Sequence, residues 1–305
     1  MKFGINILNF GPGTNPVSLQ RWATFAEEVG YHMVMISDHV AVTPDVEAQY
    51  PAPFYDPFMT LAWLAGITRK VELGTTVTIL PYRHPLQTAR ITANLDQLSG
   101  GRFILGVGVG WAKQEFEALG VPFNRRGAIS NEYLAAIKTC WTNEVASYEG
   151  QFVSFKNVRT APRPARSPHP PIWVGGASEG AMRRAVLYGD GWHPIQIRVS
   201  WLKDKGLPRL REIAEAEGKP VPALCPRLSL RLTDSRLDDD RRLAGEGTLD
   251  QIRGDLDKLE SLGAEYVLFD TYTGDPKATL HFEADWARLT TLAEKVLDLE
   301  HQSLR

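Results

Sequence analysis

Short β-branched or apolar runs alternate along this chain with segments whose apolar residues recur at helical spacing. Phe3–Leu8 predicts a first strand, and Val17–Val29 a helix with Trp22, Phe25, Ala26 and Val29 on one face, stopped by Gly30. Met33–Ile36 predicts a second strand, ending in the polar triplet Ser37-Asp38-His39. Then come a helix (Pro57–Thr68), a Thr-rich strand (Val71–Leu80), a helix (Leu86–Leu98) closed by Gly100 and Gly101, and a strand (Phe103–Val109) punctuated by Gly106 and Gly108. Helical pattern returns at Lys113–Leu119 and Ile129–Thr142, and Ser147–Phe155 alternates like a small hairpin. A Pro-rich connector (Ala161–Pro171) leads to strands at Ile172–Val174, Gly191–Ile195, Leu228–Leu232 and Tyr266–Asp270. Helices are expected at Glu179–Tyr188, Trp201–Glu217, Leu249–Leu262 and Ala284–Leu299.

About eight strand–helix units, with no composition shift that marks a boundary, predict one α/β domain over 1–305, a (β/α)8 barrel. A doubly wound open sheet is the runner-up and would need a topological switch point. Insertions are expected near 42–57, 146–171 and 234–247. A length of 305 residues suits one barrel with insertions as well as two ordinary domains.

A net charge of −2, with no concentrated basic stretch, argues against a nucleic-acid partner. No apolar run reaches the length of a membrane span, and the N-terminus MKFGINILNF has no signal-peptide pattern. A soluble, cytoplasmic protein with no membrane partner is expected. Cys140 and Cys225 stand in unrelated segments and offer neither disulfide framework nor metal spacing, so they read as buried thiols.

Barrel chemistry sits at the C-terminal ends of the strands. No lysine falls there, which disfavours a Schiff-base aldolase. The fourth strand ends in Gly108-Val109-Gly110-Trp111 without an acid, which disfavours a glycosidase carboxylate pair. The histidines show neither HxH nor HExxH spacing, so no catalytic metal is expected. The run Gly106–Gly110 fails the dinucleotide pattern, because 109 and 111 are Val109 and Trp111. It reads instead as a strand end thinned for close approach of another backbone or a flat ligand.

Polar groups cluster at three strand ends. His39 emerges where a histidine can move a proton, with Asp38 beside it to fix its tautomer or hold a ligand donor; a capped turn with a surface histidine is the plain alternative. Thr75, Thr76 and Thr78 bring hydroxyls into a buried strand, either for a ligand or for neighbouring strands. Val174-Gly175-Gly176-Ala177-Ser178 joins a strand to a helix, a ready anion site without a Walker lysine and suited to a cofactor phosphate.

In order and spacing these segments resemble the bacterial luciferase-like flavin and deazaflavin oxidoreductases. The resemblance rests on Ser-Asp-His (37–39), Leu-Gly-Thr-Thr-Val (73–77), Leu-Ser-Gly-Gly-Arg (98–102) with Gly-Val-Gly-Val-Gly-Trp (106–111), Pro-Pro-Ile-Trp-Val-Gly-Gly-Ala-Ser (170–178), Gly-Asp-Gly-Trp (189–192) and Gly-Thr-Leu-Asp-Gln-Ile (247–252). It is most like the branch that uses coenzyme F420, a 5-deazaflavin. The resemblance implies a homodimeric barrel that moves a hydride between F420 and a small organic substrate, with the cofactor ring in the mouth. It makes His39 the proton-transfer residue, with Asp38, Thr76, Val77, Val109 and Gly110 at the ring and Gly175, Gly176, Ala177 and Ser178 at the phosphate. A non-proline cis peptide is expected at Thr76–Val77. Trp111 stands where F420-dependent sugar-phosphate dehydrogenases carry a glutamate, which favours an apolar or aromatic substrate, with Phe54, Tyr82, Trp111 and Trp192 as pocket residues. Arg163, Arg166, Arg183 and Arg184 are read as a basic path for the acidic F420 tail, or else as a solvated face. An FMN-dependent monooxygenase and a non-catalytic flavin-binding barrel remain the alternatives.

Overall fold

A computed structural model describes residues 1–305. Its eight parallel strands are β1 (Lys2–Ile7), β2 (Met33–Ile36), β3 (Glu72–Thr75), β4 (Phe103–Gly108), β5 (Ile172–Gly175), β6 (Gly191–His193), β7 (Ala223–Leu224 with Arg227–Ser229) and β8 (Tyr266–Asp270). Each pairs with the next, β1 pairs with β8, and β7 joins β6 through Ala223↔Gly191 and β8 through Arg227↔Leu268, so the sheet closes. This is the (β/α)8 barrel expected from the sequence.

Eight helices cover it: α1 (Pro16–Val29), α2 (Pro57–Ile67), α3 (Pro85–Leu98), α4 (Arg126–Thr142), α5 (Glu179–Tyr188), α6 (Leu207–Ala216), α7 (Leu249–Ser261) and α8 (Glu283–Lys295). Their ends follow local chemistry. Asn15 and Ser18 form a capping box at α1, Pro16 takes its first position, and Gly30 ends it in the left-handed region at φ 100°. No helix is long and apolar enough to cross a membrane.

The expected strand Val71–Leu80 is not continuous. β3 stops at Thr75, a cis peptide joins Thr76 to Val77, and only Thr78–Ile79 resumes pairing with β4. The seventh strand begins earlier than expected and is interrupted at Cys225-Pro226, while Arg231–Leu232 leaves the barrel to pair with Glu246–Gly247.

Side chains alternate across each strand. Outward residues such as Phe3, Ile5, Val34, Phe103 and Val174 pack against the helices. Inward, Met33, Met35, Ile104, Trp173, Cys225 and Leu268 form an apolar plug. Gly4 and Gly74 make room for it, since a Cβ there would meet Met33 Cγ at 2.2 Å and Met35 Cε at 2.6 Å. One inward step further along, the strands supply Asn6, Thr76, Gly175, His193, Arg227 and Asp270 instead. The plug closes the barrel below this polar layer, which becomes the floor of the mouth.

Candidate active site

The floor is a directional hydrogen-bond chain. Arg227 donates from Nε and Nη2 to Asp270 Oδ2 at 3.1 and 2.6 Å, and from Nη1 to Thr76 O at 2.7 Å and Thr76 Oγ1 at 3.1 Å. His193 Nδ1 faces the Cys225 carbonyl, which can only accept, so Nδ1 carries the proton and Nε2 accepts from Thr76 Oγ1 at 2.9 Å. Burial pushes the His193 imidazole down to about 4, so the ring is neutral at physiological pH. Asn6 Nδ2 donates to Asp270 Oδ1 at 2.9 Å. The peptide at Thr76 is thus pinned from both sides of the barrel.

Val77 stands on this floor with glycine on either side. A Cβ on Gly108 would lie 2.4 Å from Val77 Cγ2, and one on Gly175 2.9 Å from Val77 Cγ1. Around Val77 opens a cavity of about 300 Å³, within the size range of small-molecule sites. Asp38, His39, Thr76, Val77, Val109, Gly110, Trp111, Gly175 and Gly176 all line it, with His193 and Arg227 at its floor. The room those glycines leave is taken by Val77 itself, and the open space is the cavity over it, bordered by Gly108, Val109, Gly110, Gly175 and Gly176, whose small lining fits a flat, flavin-like ring.

Asp38 does not orient His39. Its carboxylate takes a bidentate pair from Arg83 at 2.6 and 2.8 Å and the Ile79 amide at 2.9 Å, fixing the chain after the β3 break. His39 instead leans on Glu115, with Nδ1 2.6 Å from Oε2. An aromatic rim surrounds the ring: Tyr50, Phe54 and Trp111 have centroids 5.5, 5.3 and 5.8 Å from that of His39.

Beyond the ring cavity, Ser178 caps α5 by accepting from Ala181 N at 3.2 Å. The amides of Ala177 and Ser178 are not among the donors of the protein's hydrogen bonds, and Glu179 and Gly180 are first-turn donors without intrahelical acceptors. The N–H groups of Ala177, Ser178, Glu179 and Gly180 are thus left without protein acceptors at a helix start, an arrangement that can bind an anion. From Ala177 a groove of about 290 Å³ runs on past Gln196, Ile197, Arg198 and Trp201. A second, more polar chamber of about 410 Å³ shares Tyr50, Ile195 and Arg227 with the first.

Several sequence expectations change. Tyr82 is not on the cavity wall; it packs behind it with Ile79 and Phe116, because its ring completes an apolar cluster beneath the loop after β4. Trp192 is fully buried on the outward face of β6 and supports the loop after β5 from behind by donating to Gly176 O at 2.8 Å. Phe54 lies in the rim, stacked on Phe10, rather than in the lining. The four arginines expected along a cofactor tail are committed elsewhere. The connector lies before β5, at the opposite end of the barrel, where Arg163 binds the Trp141 and Thr142 carbonyls and Arg166 pairs with Glu72 at 2.6 Å. Arg183 pairs with Glu217, and Arg184 is buried on Asn131 and Gly127 O. Glu115, His193, Arg227 and Asp270 were not singled out from the sequence.

A cofactor-sized mouth above a polar floor, with a helix-capped anion cradle at its edge, defines a flavin- or deazaflavin-type barrel. The family model for luciferase-like monooxygenases matches residues 1–238, and the chain belongs to that family. Its members are F420- or flavin-dependent oxidoreductases and monooxygenases, and this chain is an enzyme of that kind. An uncharacterized protein of Mycobacterium tuberculosis is 30% identical over 73% of this chain and 86% of its own length. An F420-dependent glucose-6-phosphate dehydrogenase of Kineococcus radiotolerans is 32% identical over 78% of this chain and 68% of its own. An F420-dependent secondary alcohol dehydrogenase, solved with an F420–acetone adduct, superposes with a TM-score of 0.75 at 18% identity, covering 96% of this chain and 99% of that one. The oxygenating component of 3,6-diketocamphane monooxygenase of Pseudomonas putida, solved with FMN, gives 0.74 at 16% identity, covering 96% and 97%.

Proposed function

We propose that the barrel mouth binds coenzyme F420 and that the enzyme transfers a hydride between it and a small organic substrate, all of 1–305 acting as one domain. The observation that carries this reading is the groove continuing past the phosphate cradle. FMN ends at its phosphate, whereas F420 extends into a chain of carboxylates, and the exposed Arg198 stands in that groove. The relative that names F420 supports the same choice.

When bound, the deazaflavin supplies a hydride donor or acceptor at its C5. Val77, Gly108, Val109, Gly110 and Gly175 would hold the ring, and Ala177 and Ser178 its phosphate. His39 Nε2 takes or returns the proton that accompanies the hydride. Arg227 sets a fixed positive charge beneath the ring, balanced by Asp270.

The second chamber is where substrate stands. Its arginines are compensated, Arg227 by Asp270 at 2.6 Å and Arg231 by Glu246 at 3.3 Å, while Gln49, Gln196 and Ser229 offer hydrogen bonds. It suits an uncharged hydroxyl- or carbonyl-bearing substrate beneath the aromatic rim better than a phosphate ester. The enzyme works as a homodimer through α2 and α3, whose adjoining faces expose Met59 (73%) and Leu98 (69%). Light scattering should give twice 34.0 kDa.

The deciding experiment titrates the purified protein with F420 and with FMN. Quenching of F420 fluorescence at lower concentration than FMN binding, with affinity falling as salt is added, is expected. Stoichiometric FMN in the purified protein with no F420 quenching would replace this reading by the monooxygenase one.

A further inference from the structure

Glu115 has no part in the reading above. It lies in the short helix Lys113–Ala118 after β4, fully buried, with no lysine or arginine paired to it. Three donors converge on its carboxylate: His39 Nδ1 at 2.6 Å on Oε2, and the amides of Val40 at 2.6 Å and Ala41 at 3.0 Å on Oε1. Burial alone would raise the Glu115 carboxyl, but these donors outweigh it and hold it below the ordinary range. An ionised carboxylate only accepts, so the ring nitrogen facing it bears the proton. The other nitrogen, Nε2, has no partner within the protein, and the ring lines the cavity.

The surroundings add nothing that could replace this contact. Tyr82 holds its proton, its hydroxyl raised by burial and by the Glu115 charge. Asp38 is spent on Arg83, and Asp45 is bound by the Gln114 amide at 3.1 Å. Tyr50, with a hydroxyl raised chiefly by burial, and Trp111 meet the imidazole ring to ring.

We propose that Glu115 is the positioning residue of this site: it locks His39 in the Nδ1–H tautomer and thereby keeps Nε2 as the atom that exchanges a proton with the cavity's occupant. The lock itself is independent of cofactor identity; its catalytic weight rests on the hydride-transfer reading. A role limited to anchoring the loop after β2 would need only the Val40 and Ala41 contacts.

Glu115→Gln separates the two. Its amide oxygen still serves the Val40 and Ala41 donors, so the NH₂ is turned toward Nδ1, which can then only accept. The imidazole should switch to the Nε2–H tautomer. Long-range ¹H–¹⁵N spectra of the cofactor-free protein, with the His39 signals assigned by their loss in His39→Gln, read this directly. The wild type should show Nδ1–H and Glu115→Gln should show Nε2–H. In turnover assays kcat should fall about 10- to 100-fold, part of the usual weight of general acid–base catalysis, while cofactor Kd stays within about threefold. A wild-type ring already in the Nε2–H form would overturn the proposal without any variant, and so would a tautomer unchanged by Glu115→Gln. An inverted tautomer with unchanged kcat would instead leave the lock standing and remove His39 from proton transfer, which is a failure of the functional reading.

Discussion

Gly108 offers a quantitative test of where the ring lies. In β4 its missing side chain faces Val77, and a Cβ there would come within 2.4 Å of Val77 Cγ2. That is well inside van der Waals contact, so Gly108→Ala must displace Val77. The backbone at that point cannot give, because Thr76 N donates to Ile36 O at 2.8 Å and Thr76 O accepts from Arg227 at 2.7 Å. The valine side chain therefore moves upward, into the space assigned to the ring. Overpacking of this kind costs about 1–3 kcal/mol, which if borne by the bound state weakens cofactor binding by about 5- to 150-fold. Val77→Ala should remove the obstruction, so the double variant should recover most of the loss, giving a coupling of more than 1 kcal/mol in a cycle of Kd values measured by fluorescence quenching. A Gly108→Ala protein that binds as tightly as wild type, or a double variant no better than the single, would show that no ring rests on Val77.

His39→Ala should reduce kcat by about 10²-fold or more with little change in cofactor Kd; an unaltered kcat on an identified substrate would exclude it from the mechanism. Arg198→Gln should weaken F420 several-fold and flatten its salt dependence while leaving FMN binding unchanged, as calorimetry at two ionic strengths would report. Asp285 is buried in α8, and burial pushes its carboxyl up to about 6 from 3.8. Folding therefore costs nothing here below pH 4 and progressively more from pH 4 to 6, so Asp285→Asn should melt with wild type at pH 4 and several degrees higher at pH 8, a gain of up to about 3 kcal/mol; equal melting temperatures at pH 8 would refute this.

What was legible in the sequence was what periodicity alone determines. β2, α5 and β8 span the residues their patterns predict, because an apolar run between polar or glycine boundaries leaves little choice. Val71–Leu80 misled periodicity for the opposite reason, although the family resemblance correctly foretold the cis peptide at Thr76–Val77. Threonine and valine favour extended chain everywhere along it, and the break at Thr76 is enforced by partners from β2 and β7, far away in sequence. Glu115 was hidden in Lys-Gln-Glu-Phe-Glu-Ala, which reads as a solvated face; only the loop after β2, folding over it, supplies the burial and the donors. Arg227 fell just outside the expected seventh strand, so its inward direction was invisible. His193 and Asp270 could have been found: each is a polar residue at the end of an apolar strand, in register with an inward neighbour.

The floor and the rim carry different duties. Moving one inward step up the barrel replaces Cys225 by Arg227, Leu268 by Asp270 and Gly4 by Asn6, and the resulting side chains spend their hydrogen bonds on one another. This layer, paired to itself apart from the free Asn6 Oδ1, has few donors left with which to distinguish substrates. Discrimination must then come from what stands above it. Gln49 and Tyr50 belong to the insertion at 42–57, Leu243 and Glu246 to that at 234–247, and all four line the second chamber. Neither segment supplies the N–H groups at Ala177–Gly180, although Tyr50 also borders the first cavity and Leu243 the groove beyond Ala177. Gln49 and Glu246 border only the second chamber, so changes there can redirect the enzyme to another substrate while leaving the proposed cofactor contacts in place, which is the physical sense in which one barrel can serve many oxidoreductases.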